Sequence, residues 1–124
     1  MRVERGEVSA QTVIAIPVVF LFLMIAVQAT VYVHTAHVAS VAAMNAAALG
    51  ASAGGSDIGA LTEAAHTIAE LSARSSTVPI VSRDGETVLV RVSLAVPRVA
   101  PFFDLTVTRT AREPIERFVS EIER

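Results

Sequence analysis

The chain has no Cys, no Trp and no Lys, and only one Tyr among its 124 residues. Lack of Cys excludes disulfides, Cys-ligated zinc, iron–sulfur clusters and thiol catalysis, so whatever folds here holds together by packing alone. A net charge of −2 and a pI near 5.9 give no basis for nucleic-acid binding. The largest absence is positional. Residues 8–56 contain no Asp, Glu, Lys or Arg.

Within that uncharged run, residues 12–33 read TVIAIPVVFLFLMIAVQATVYV, and thirteen of them are Val, Ile, Leu or Phe. A helix of this length spans ~33 Å at ~1.5 Å per residue, about the hydrocarbon thickness of a bilayer. Thirteen such residues favour insertion by roughly 4 to 8 kcal/mol at ~0.3 to 0.6 each, before Gln28 and Pro17 are set against them. A soluble helix has no need of an apolar surface all the way round. The stretch is therefore expected to be a single membrane-spanning helix. Arg2 and Arg5 precede it, and the first charges after it, Asp57, Glu63 and Glu70, are acidic. The positive-inside bias puts the N-terminus in the cytoplasm and the remainder outside the cytoplasmic membrane. Pro17 has a plain reading as a kink that frees the Val13 carbonyl. Gln28 is a lone amide that could meet another helix, for about 0.6 kcal/mol.

The second half of the uncharged run is mostly Ala, Ser and Gly, too weakly apolar for a second crossing. It extends the helix past the membrane to about Leu49, with Gly50 and Gly54-Gly55 as the stop. Ala36, Ser40, Ala43 and Ala47 fall near one stripe, and Ala39, Ala42, Ala46 and Gly50 near the next. Small residues at this spacing let two helix backbones approach closely, whereas the bland reading is that Ala is the best helix former. The sequence leaves both open.

After a Gly/Ser/Ala linker over 51–56, residues 57–124 suggest a small α+β domain. Asp57 is a candidate cap for a helix over 57–75, with Ile58, Leu61, Ala65, Ile68 and Leu71 as an apolar stripe facing a sheet. Glu70 and Arg74 are placed for an i,i+4 pair. From Val78 the period changes to two. Residues 78–81 form a short strand whose Pro79 points to an edge or a strand start, and Asp84-Gly85 signals a hairpin turn. Residues 87–96 make the best strand, with Val88, Val90, Val92, Leu94 and Val96 on one face. Pro97 and Pro101 bracket a loop, residues 102–110 supply a third strand, and 112–124 suggest a short amphipathic helix with Pro114 in its first turn. An antiparallel sheet of about three strands results.

Catalytic chemistry is sparsely represented. There is no Gly-x-Ser-x-Gly elbow and no P-loop lysine. His34 and His37 share a helix face just past the apolar run, but a metal there needs further ligands that the neighbouring sequence does not supply. Beside Tyr32 they read more simply as residues marking the membrane edge. No catalytic residue, metal site or cofactor is expected.

One motif remains. Arg5-Gly6-Glu7 stands immediately before the uncharged run, and Pro17 follows Gly6 by eleven residues. An ordinary secretory signal instead leads from a short apolar core to a small-residue cleavage site. With the Ala-rich extension, the Leu105-Thr106-Val107-Thr108-Arg109-Thr110-Ala111 stretch, Pro114 and Glu116-Arg117-Phe118, the pattern resembles the TadE-like family of pilin-related membrane proteins. These are bacterial pseudopilins, type IV pilin-like, of the Flp or Tad pilus. The resemblance implies a class III leader over residues 1–6, cut between Gly6 and Glu7 by a prepilin peptidase. It implies a non-enzymatic role in Tad pilus assembly or the linked secretion apparatus. Its partners would be the bilayer, other pilin-like subunits and Tad assembly components. It makes Gln11, Pro17, Gln28, Ala36, Ser40, Ala43 and Ala47 candidates for helix packing in that assembly. The family usually has Glu where this chain has Gln11, a residue that hydrogen-bonds but cannot neutralise a neighbour's N-terminal ammonium. The alternative is a single-pass anchor carrying an extracytoplasmic binding domain with no pilus role.

Overall fold

In the structure, a computed structural model, the backbone is described from Glu4 to Arg117 and side chains from Ser9 to Arg117. The architecture is α+β: a long apolar N-terminal helix, a second helix and a small antiparallel sheet. Helix α1 runs unbroken over Glu4–Ala51, through Pro17. Helix α2 covers Asp57–Glu70. Four strands follow: β1 (Arg74–Ser75), β2 (Ile80–Asp84), β3 (Thr87–Ala95) and β4 (Thr106–Pro114).

All pairing runs through β3. Its whole length pairs antiparallel with β4, from Thr87↔Pro114 to Ala95↔Thr106. Its other edge is shared by β2, through Ile80↔Arg91 to Asp84↔Thr87, and by β1, through Arg74↔Ala95 and Ser75↔Leu94. The register slips by two residues between β1 and β2, so the pair is one edge strand interrupted over residues 76–79. Pro79 falls in that interruption, where its missing N–H breaks no ladder. The β2–β3 hairpin turns at Gly85-Glu86, beside the expected Asp-Gly signal.

The alternation of β3 is realised fully. Val88, Val90, Val92 and Leu94 are completely buried, and Val107 of β4 joins them on the inner face. The surface opposite them is the second half of α1. Ala39, Ala42, Ala43, Ala46 and Ala47 are all buried in the same core, together with Ala60, Ala64 and Ile68 of α2. With methyl-sized side chains, α1 lies close enough to contact both the sheet and α2. Gly50 is part of this approach: a Cβ there would lie 3.1 Å from Ala60 Cβ and 3.2 Å from Val88 Cγ1.

Several sequence expectations are corrected. Helix α1 continues through Gly50 to Ala51, and the chain turns at Gly54, whose φ is +84°, and at Gly55, where a Cβ would collide with the Leu49 and Gly50 carbonyls. The cap of α2 is Ser56, whose hydroxyl accepts from the Gly59 N–H at 3.0 Å. Asp57 instead pairs with Arg83 at 3.0 Å, and the Arg83 guanidinium donates to the Gly50 carbonyl at 2.9 Å. A cation from the sheet thus satisfies the end of α1, whose own last turn has none. Helix α2 stops at Glu70 because Ser72 turns left-handed (φ 53°). Arg74 therefore lies in β1, and Glu70 meets His66 at 3.6 Å.

The inner face of α2 is Ala60, Ala64, Thr67 and Ile68, packed chiefly on α1 rather than on the sheet; Ile58 is 77% exposed and Leu71 is exposed too. Strand β4 begins at Thr106, so residues 102–105 belong to the preceding loop. Arg112, Glu113 and Pro114 end β4 instead of starting a helix. Two further backbone bonds, Ile115 N–H to the Glu86 carbonyl (2.8 Å) and Glu116 N–H to the Ala51 carbonyl (2.9 Å), hold the chain beyond it. Long-range pairing with β3 overrides the local helical pattern. The rest of the expected C-terminal helix lies outside the described residues.

Candidate functional site

Two lengths set the geometry. From Gln28 to Gly50, α1 rises ~33 Å at ~1.5 Å per residue. The nine residues of β3 cover ~30 Å at ~3.3 Å each. Gly50 lies against Val88 at one end, so β3 runs antiparallel to α1 and delivers the β3–β4 loop to the level of Gln28. The opposite end carries the α1–α2 turn, the β2–β3 hairpin and Arg117, which donates to the Gly85 carbonyl at 3.1 Å.

At the Gln28 level the helix and the loop are fastened together. Gln28 is 4% exposed. Its Nε2 donates to the Pro97 carbonyl at 3.2 Å, and its Oε1 accepts from the Val99 N–H at 2.9 Å and the Ala100 N–H at 3.2 Å. A single amide thus satisfies three backbone groups of a loop that has no ladder partner there. Ala100 is buried by this contact. Next to it, a cleft of about 660 Å³ opens between His34, Thr35 and Val38 of α1, the α2–β1 connection with Arg74, and the loop residues Arg98 and Asp104.

The candidate residues separate into two groups. Gly6 and Glu7 lie in the first turns of α1, and Met1 to Val3 of the expected leader lie outside the described residues. Gln11 and Pro17 are exposed on α1. Gln28, Ala36, Ala43 and Ala47 are buried and Ser40 is half-buried, all within the chain's own fold. Roughly 17 residues, or ~25 Å of helix, separate Gln11 from Gln28, so the structure does not bring the groups together. His34 and His37 are exposed, and among the described residues no three His, Asp or Glu side chains cluster closely enough to hold a metal ion.

The sequence did not single out Val99, Phe102 and Phe103. Val99 is 39%, Phe102 75% and Phe103 37% exposed on the loop. The available signal was an apolar Phe-Phe pair beside Pro101 in a chain with only five Phe.

The apolar first half of α1 is the other candidate surface. The helix is long and apolar enough to cross a membrane, and its most apolar window has no buried residue. Val13, Ile14, Val19, Phe20, Phe22 and Leu23 all face outward. No family model, curated protein or solved structure matches the chain.

Proposed function

We propose that this chain is a single-pass membrane protein of the TadE-like, pilin-related kind, with its N-terminus in the cytoplasm and its α+β head outside. It is structural rather than catalytic, and takes part in assembling a Flp or Tad pilus or the linked secretion apparatus. The observation that carries the reading is the division of α1. One continuous helix offers about fifteen exposed apolar residues and then enters the core of the head through a small-residue face. That arrangement suits a subunit that is held in the bilayer by one half of a helix and carries its head rigidly on the other half.

On this reading a prepilin peptidase cuts between Gly6 and Glu7, on the cytoplasmic side, and the helix stays with the mature protein. Gln11 and Pro17, exposed in the first half of α1, are then available to neighbouring pilin-like helices. The neutral amide of Gln11 costs less to bury than the carboxylate usual in the family, and it offers neighbours a hydrogen bond in place of a charge.

The test is the N-terminal residue of the protein isolated from membranes of its host. Glu7 is expected, and Gly6→Leu should leave the start at Met1. A native start at Met1 or Arg2 would leave a membrane anchor with an extracytoplasmic binding domain. A start within residues 36–40 would mean a secreted domain and would overturn both.

A further inference from the structure

We propose that the β3–β4 loop, residues 96–105, is a second membrane-contacting element. Phe102, with Phe103 and Val99, enters the lipid interface beside the point where α1 leaves the bilayer. The inference rests on the membrane-spanning reading of α1, but not on any pilus role.

Gln28 fixes the depth. Its three hydrogen bonds place the backbone of Pro97, Val99 and Ala100 against the helix at that level. Irregular backbone exposed to lipid is not tolerated in hydrocarbon, so the hydrocarbon must end at or below Gln28. From Ser9 to Val27 the helix spans ~28 Å, enough for the ~30 Å hydrocarbon core. The membrane segment is thereby shifted from residues 12–33 to about 9–27. The loop sits at its boundary.

The chemistry of the loop suits that place. Its exposed apolar side chains stand at the level where the exposed apolar run of α1 ends, at Ile25 and Val27. Tyr32, also exposed, lies one turn above Gln28, at the depth where aromatic rings collect at membrane interfaces. Arg98, Arg74 and His34 border the adjoining cleft at headgroup level, with Asp104 as the one acid among them. The far end of the head is different in kind: Asp57, Arg83, Asp84, Glu86 and Arg117 gather there, with Leu49 and Ile58 as exposed apolar residues among them. Two contacts with one bilayer, a crossing helix and a loop clamped to it, would hold the head at a fixed tilt.

The chain has no Trp, so single Trp substitutions report position without interference. Full-length Phe102→Trp, Phe20→Trp and Ile58→Trp would each be reconstituted in vesicles of equal parts phosphatidylcholine and phosphatidylglycerol. The readouts are emission wavelength and quenching by nitroxides carried shallow or deep in the lipid, or by acrylamide in the water. The expected result is that Phe102→Trp is blue-shifted and loses emission to the shallow label. Phe20→Trp should lose emission to the deep label, and Ile58→Trp only to acrylamide. If Phe102→Trp behaves like Ile58→Trp while Phe20→Trp is quenched by the deep label, the loop proposal falls and the crossing helix stands. If Phe20→Trp is not quenched by lipid, the spanning reading falls and takes the proposal with it. If the Phe102→Trp blue shift disappears on diluting the protein with lipid, and no lipid label quenches it, the loop is covered by a second copy and the proposal is overturned.

Discussion

The two halves of α1 are one helix with two surroundings. Up to Val27 its surface is large, apolar and open; from Thr35 one face of it is small, apolar and closed, while His37, Met44 and Leu49 stay exposed on the other. From Val8 onward both halves lack charge, and hydropathy alone would blend them. The difference lies in side-chain volume. Val, Ile, Leu and Phe gain by meeting lipid all round, whereas Ala, Ser and Gly gain by letting other backbones come near. Gln28 stands at the change, and its partner is the chain's own loop.

Substitutions matched across the boundary test this contrast. The largest effect is expected inside the head. Leu94→Ala removes a fully buried side chain facing α1 and should cost about 2–5 kcal/mol, whereas Leu21→Ala should leave head unfolding unchanged. Denaturant titration of the full chain in detergent micelles measures both. Ala46→Leu comes next. It overfills a site with no free surface and should cost about 1–3 kcal/mol, while Ala26→Leu, on the exposed half, should be neutral in the same titration. Equal costs for the two would remove the distinction between the halves.

Gln28→Leu tests the boundary itself. It strips partners from the Pro97 carbonyl and the Val99 and Ala100 N–H groups. The expected cost is about 1–3 kcal/mol, with hydrogen exchange rising at Val99 and Ala100 before it rises in β3. Unchanged exchange there would mean that the loop is held by other contacts. The smallest effect has the opposite sign. Ser72→Gly relieves a left-handed backbone at the end of α2 and should stabilise the head by about 0.5–1 kcal/mol in the same titration.

The sequence showed some of this directly. The alternation Val88-Val90-Val92-Leu94-Val96 specified a strand and its buried face, because a period of two has a single consequence for which side is covered. The Asp84-Gly85 signal located the hairpin for the same local reason. Helix α2 was legible as a helix, but its partner was not. Of its expected apolar stripe Ile68 is buried, but Ile58 and Leu71 are exposed, and Ala60 and Ala64 supply much of the contact face because the opposing surface is the Ala face of α1 at close range. The segment 112–117 looked helical in isolation; pairing along β3 made its first part a strand. The candidate site was hidden for a related reason. Gln28 and the Pro97–Ala100 backbone are about seventy residues apart, and nothing in either stretch announces the other.

The sequence by itself determined that one helix is apolar and long enough to span a bilayer, that charge is kept from residues 8–56, and that a strand with a fully apolar face follows. Those properties are local: composition and period carry them. Only the tertiary structure decided where the exposed half of α1 ends, that the small-residue face closes onto the chain's own sheet and second helix, and that Gln28 clamps the β3–β4 loop. Each depends on which surface arrives opposite a residue. That is fixed by strand register and by the distance of closest approach between helix and sheet, neither of which a single stretch of sequence contains.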